Sequence, residues 1–149
     1  MVVATYNLRN ANGGDSTNGN GWGQRYPYIA QIVQFHGFDI FGTQEGKYPQ
    51  LQDLRQAMPG YDYIGVGRDD GKQAGEHSAI FYRTDKFEVL EHGDFWLSEI
   101  TDRPNKGWDA VLPRICTWGE FRDKQTGFTF LFFNLHMDRS EERRCRERV

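Results

Sequence analysis

Three polar residues stand where apolar runs end: Asn7 after VVATY, Glu45 after FDIFGTQ and His136 after FLFFNL. An amide, a carboxylate and an imidazole are side chains that bind ligands and move protons, and the carboxyl ends of strands in an α/β layer are where ligands collect. Each has an ordinary alternative. Asn7 also suits a turn, Glu45 a solvated strand end and His136 a hydrogen-bonded surface position.

The elements that must position them follow from periodicity. Val2 to Leu8 is β-branched and apolar and predicts a short buried strand. Residues 10–23, NANGGDSTNGNGWG, predict a loop rich in Gly and Asn. Tyr28, Ile29, Ile32, Val33 and Phe35 form a helical stripe that Pro27 opens at its first turn and Gly37 closes. Asp39 to Thr43 predicts a central strand buried on both faces. Helical spacing returns through Tyr48, Leu51, Leu54 and Met58 and ends at Pro59 and Gly60. Strand, helix, strand, helix indicates an α/β layer. Beyond it, strands are predicted at 61–66, 78–82, 87–92, 116–122 and 128–135, joined by turns that suit antiparallel hairpins.

The bulk properties fit one domain, residues 1–149, which would bury about 70% of its unfolded surface. A net charge of -3 and a pI near 5.8 argue against a pure DNA- or RNA-binding module, which draws its affinity from positive charge. Mean hydropathy is -0.75. Cys116 and Cys145 have no CxxC or His-spaced partner, which points away from a zinc site or a disulfide framework. No stretch is long and apolar enough to span a membrane, and no signal-peptide pattern opens the chain. The compartment stays open between cytoplasm and secretion after processing.

Taken together, TYNLRN, FDIFGTQEG, LRQAMPGYDYIGVGRDDG, GEHSAIFY, FWLSE, GWDAVLPRICTW and FNLHMD resemble the endonuclease/exonuclease/phosphatase family of metal-dependent phosphoesterases. The likeness covers essentially the whole chain and is strongest to a bacterial branch. It implies an α/β (α+β) fold, the deoxyribonuclease I-like four-layer α/β/β/α sandwich, of which this chain supplies the first sheet and its helices. Residue by residue, it implies that Glu45 and Asn7 hold Mg or Mn, that Glu76 pairs with His136 as the catalytic dyad, and that Arg114 and Asn134 serve the substrate phosphate. Two simpler readings stay beside these: Glu76 with His77 as a hairpin polar pair, and Arg114 paired to an Asp such as Asp109. Trp96, Trp108 and Trp118 are open between stacking on a ligand and packing.

The pattern also departs from the family. GDF at 93–95 begins like a family metal motif, but Trp96 replaces its Asn and the position precedes the His136 strand, so Asp94 is read as a strand-edge residue. The family's later AspXAsn and AspHis motifs are not found, LeuHis replaces ThrHis, and Arg139 stands where a second His is expected. The expectation is the N-terminal half of a longer domain, whose apolar sheet face needs a C-terminal half or a partner chain to cover it. The implied function is divalent-metal-dependent hydrolysis of a phosphodiester or phosphomonoester, with nucleic acid among the substrates. The alternative is a catalytically inactive binding or interaction domain on the same scaffold. The closing residues SEERRCRERV read as a solvated helix that leads onward.

Overall fold

A computed structural model describes residues 1–138; the closing helix expected from SEERRCRERV lies outside the described residues. Strand β1 (Val3–Asn7) runs parallel to β2 (Ile40–Gln44), with Asn7 opposite Gln44. A parallel pair needs a crossover, and α1 (Gly13–Thr17) and α2 (Trp22–His36) provide it. The predicted loop at 10–23 is therefore partly helical. Asn12 accepts the Asp15 N–H through its side chain and caps α1, and Gln24 accepts the Gly21 N–H at 3.2 Å at the start of α2. Trp22 anchors that start, buried and donating to Asp53 at 2.8 Å. Pro27 consequently lies inside the helix rather than at its first turn, forgoing one intrahelical hydrogen bond. Gly37 ends the helix as expected, in the left-handed conformation with φ 60°.

Four strands form the first sheet in the order β1-β2-β6-β4, with β4 at Tyr61–Ile64 and β6 at Ile80–Arg83. Helices α2 and α3 (Tyr48–Ala57) cover one face, where Val33, Phe41, Leu51, Leu54, Met58 and Phe81 are fully buried. A two-residue ribbon of β3 (Gly46–Lys47) and β5 (Glu76–His77) extends past the end of β2.

The chain supplies more than the first sheet and its helices. β7 (Phe87–Trp96), β8 (Ile115–Asp123) and β9 (Thr129–Leu135) form a second, antiparallel sheet. Phe87 and Phe121 bury against Ile40, Ile64 and Ile80 of the first sheet, with Phe130 and Phe132 packed beside them. The first sheet's inner face, expected to need an outside cover, is thus largely covered by the chain itself. Apolar surface left open includes Val3 of β1 and the far side of β9, where Leu131, Phe133 and Leu135 are 58%, 54% and 36% exposed.

The tryptophans divide by packing. Trp96 is buried and donates to the Arg68 carbonyl at 2.8 Å. Trp118 lies close over Gly93, where an added Cβ would come within 2.9 Å of the indole nitrogen, and Trp108 is exposed. Asp94 lies in β7, an outer strand of its sheet, half-buried and accepting from the Thr117 hydroxyl at 2.5 Å.

Candidate active site

The parallel pairing of β1 and β2 places Asn7 beside Glu45, the first residue past β2. One Glu45 oxygen accepts from the Asn7 amide at 3.0 Å and the other from the Asn10 N–H at 3.1 Å. Burial pushes the Glu45 carboxyl up, but the Asn7 and Asn10 donors and the charges of His136 and Arg9 outweigh it and hold the group below its usual value. Glu45 also has φ 64°, in the left-handed region where a side chain carries strain. The ionised carboxylate is therefore fixed in direction by its backbone and by two donors. Asn7 is occupied too: its oxygen accepts the Arg9 N–H at 2.8 Å and retains a second lone pair.

Asn10 joins the two halves of the site. Its N–H serves Glu45 and its side-chain amide donates to Glu76 at 3.2 Å. Buried Gln50 of α3 holds this segment, accepting the Ala11 N–H at 2.9 Å and donating to the Arg9 carbonyl at 3.2 Å. The other Glu76 oxygen takes Arg68 Nη1 at 2.8 Å.

Glu45, Glu76, Arg114 and His136 line one cleft, together with Arg68, His77 and Ser78. Arg114 pairs through Nη2 with Asp138 at 3.2 Å. Among the described residues, three buried side-chain nitrogens lack a hydrogen-bond partner: Arg68 Nε, Arg114 Nε and His136 Nδ1. All three belong to residues of this cleft. A buried donor left unmet costs about 1–3 kcal/mol, so their gathering in one place indicates a site that expects an acceptor.

The expected dyad takes a different form. Glu76 and His136 share the cleft, but the hydrogen bonds of Glu76 go to Asn10 and Arg68 rather than to the imidazole. Asn134 is buried, and its amide is committed within the protein. It accepts from Gln44 at 2.8 Å and donates to the Thr43 and Ala79 carbonyls at 2.8 and 2.9 Å. It fastens β9 to the end of β2.

The donor set fits a hard divalent cation. Glu45 provides anionic oxygens that each accept only one hydrogen bond from the protein. Among the described residues no cluster of three or more His, Cys, Asp or Glu could hold an ion by itself. Mg is commonly bound through one or two carboxylates, completed by water and substrate oxygens, and Glu45 with Asn7 beside it suits that mode.

Known proteins bear on this geometry. A crystal structure described as an endonuclease/exonuclease/phosphatase family protein from Bacteroides thetaiotaomicron is 75% identical, superimposes with a TM-score of 0.91 and is matched over 91% of this chain and 48% of its own. Structures at 50–75% identity that carry the endonuclease/exonuclease/phosphatase family name match about 90% of this chain. A second family member, from Bacteroides vulgatus, is 50% identical with a TM-score of 0.87 over 90% of this chain and 51% of its own. A structure described as a mannosyl-6-phosphatase of Bacteroides thetaiotaomicron is 73% identical, with a TM-score of 0.91 over 93% and 52%. The chain thus spans about half the length of these relatives. No family model matches it. The fold is deoxyribonuclease I-like, and the superfamily is one of phosphoesterases and nucleases.

Within this family frame, Arg68, Asn10 and Gln50 are the site residues that sequence reasoning passed over. The first two lie inside IGVGRDDG and TYNLRN, segments that carry the family likeness. Asn10 meets Glu45 and Glu76 from far along the chain, and Arg68 meets Glu76 across the loop that leads into β5; spacing along the chain gives no sign of either.

Proposed function

We propose that the chain carries the first half of a divalent-metal-dependent phosphoester hydrolase, acting by attack of water on phosphorus. The observation that carries this reading is that Arg68, Arg114 and His136, each with a buried nitrogen that lacks a partner among the described residues, line one cleft with the ionised Glu45. Nitrogen donors of this kind match phosphate oxygens. Glu45, with Asn7 beside it, would hold Mg or Mn. When bound, the ion would polarise a phosphoryl oxygen and offset developing charge.

The residues of the chain supply the rest. Arg114, braced by Asp138, donates Nε to a phosphate oxygen. His136 donates Nδ1 in the protonated form or in the matching neutral tautomer, or gives up a proton to the leaving oxygen. Asn10, bound to both Glu45 and Glu76, keeps the two carboxylates in register. Within the class we favour a phosphomonoester of a sugar, because a 73% identical structure is described as a mannosyl-6-phosphatase.

The test is hydrolysis of chromogenic phosphomonoesters and phosphodiesters with Mg or Mn against chelator. Turnover that needs the metal and falls by about 100-fold or more in Glu45→Ala is expected. Metal-independent turnover, or full turnover in the variant, would sink the reading.

A further inference from the structure

Arg68 is built into this cleft more rigidly than a surface arginine needs to be. The residue is 9% exposed. Its N–H donates to the Glu76 carbonyl at 3.1 Å and its carbonyl accepts Trp96 Nε1 at 2.8 Å, so the backbone is fixed from both sides. Glu76 takes Nη1 at 2.8 Å. Nε lies 3.8 Å from the nearest Asp69 oxygen, too far for a hydrogen bond, and is buried without a partner among the described residues. Arg114 has the same arrangement, one nitrogen on Asp138 and a buried Nε left over. Each guanidinium is half neutralised by its carboxylate and keeps one buried N–H without a partner among the described residues.

We propose that Arg68 is a specificity-determining residue: anchored by Glu76, it supplies the donor for the terminal oxygen that a phosphomonoester has and a phosphodiester lacks. The assignment rests on the phosphoesterase reading above. The three residues of the cleft that carry an unpartnered nitrogen, with His136 Nδ1 in its protonated form or donor tautomer, equal in number the three acceptor oxygens of a phosphomonoester. A phosphodiester gives one of those oxygens to its second ester link and leaves a donor facing a poor acceptor. A site built around hydrogen bonds discriminates strongly against an analogue that cannot complete them. Because the preference comes from a fixed donor and not from charge alone, lysine cannot replace Arg68.

The experiment is calorimetric titration of the protein, with Mg in excess, using inorganic phosphate and dimethyl phosphate as probes. The unmodified protein is expected to bind phosphate roughly tenfold or more tightly than dimethyl phosphate. Arg68→Lys, which keeps a cation opposite Glu76, should lose roughly tenfold in phosphate affinity and change dimethyl phosphate by less than about twofold. Arg68→Gln, checked for folding by circular dichroism, should show the same loss of preference. Equal affinity of the unmodified protein for the two anions overturns the assignment without any variant. So does an unchanged preference in folded Arg68→Lys or Arg68→Gln, and both results leave the phosphoesterase reading standing. Binding of neither anion defeats that reading and the assignment together.

Discussion

Asp94 shows how one side chain records its surroundings. Burial pushes its carboxyl above the usual range; the Thr117 hydroxyl, the Val66 N–H and the nearby His92 and His77 oppose this without cancelling it. The native protein therefore holds this proton at a pH where the unfolded chain has released it. The contribution to stability is present below the unfolded value of 3.8 and is lost as pH rises through the higher native one. Asp94→Asn can still accept from Thr117 and has no charge to bury. Its melting temperature is expected to match or exceed that of the parent at neutral pH and to fall below it only in acid, as thermal melts across pH would report. Asp39 has the opposite sign. Burial opposes its charge, but Lys86 at 2.6 Å, the Val2 N–H and the chain's amino terminus hold its carboxyl below 3.8. That contribution is present above 3.8 and lost as pH falls through the lower native value, so Asp39→Asn should flatten the acid limb of the same melts.

At the scale of elements, the contact between β2 and β9 decides whether the cleft exists. Gly42 leaves the room that Asn134 fills: a Cβ there would lie 2.5 Å from the Asn134 amide carbon. Gly42→Ala is expected to cost about 1–3 kcal/mol through overpacking. Asn134→Ala should cost a similar amount, about 1–3 kcal/mol, by removing the amide that donates to the Thr43 and Ala79 carbonyls and accepts from Gln44. The two residues touch, so the double variant should cost less than the sum, a coupling that urea unfolding can read. The strands β2 and β9 were legible in the sequence because both are apolar runs with polar ends. Their pairing across the two sheets was not, because Gly42 and Asn134 carry no mark of each other along the chain. Helix α1 was missed for a related reason: its support is a side-chain cap at Asn12, hidden in a segment whose composition reads as loop.

For the whole molecule, the open side of β9 is the feature with physical consequences. Leu131, Phe133 and Leu135 form an exposed apolar row on the last strand of the second sheet, and a row of this kind on an edge strand invites association. The 17.3 kDa chain is expected to self-associate at high concentration. Leu131→Thr with Phe133→Thr should shift it toward monomer, as light scattering on a sizing column would show. Stability should move by only about 0.5 kcal/mol, the usual range for surface positions.

The sequence by itself determined the fold class and the family resemblance, and that resemblance named Glu45, Glu76, Arg114 and His136; the structure is what puts the four in one cleft. The sequence could go that far because strand ends and motif order are local and linear. Only the tertiary structure decided that Asn134 is a fastener, that Glu76 turns to Arg68 and Asn10, and that β7 to β9 close the first sheet's inner face. Apart from Arg68 with Glu76, a pair close in the chain, these are choices of partner between residues far apart in the chain. They are settled by which donors find acceptors once the sheets are packed, and no spacing along the chain encodes them.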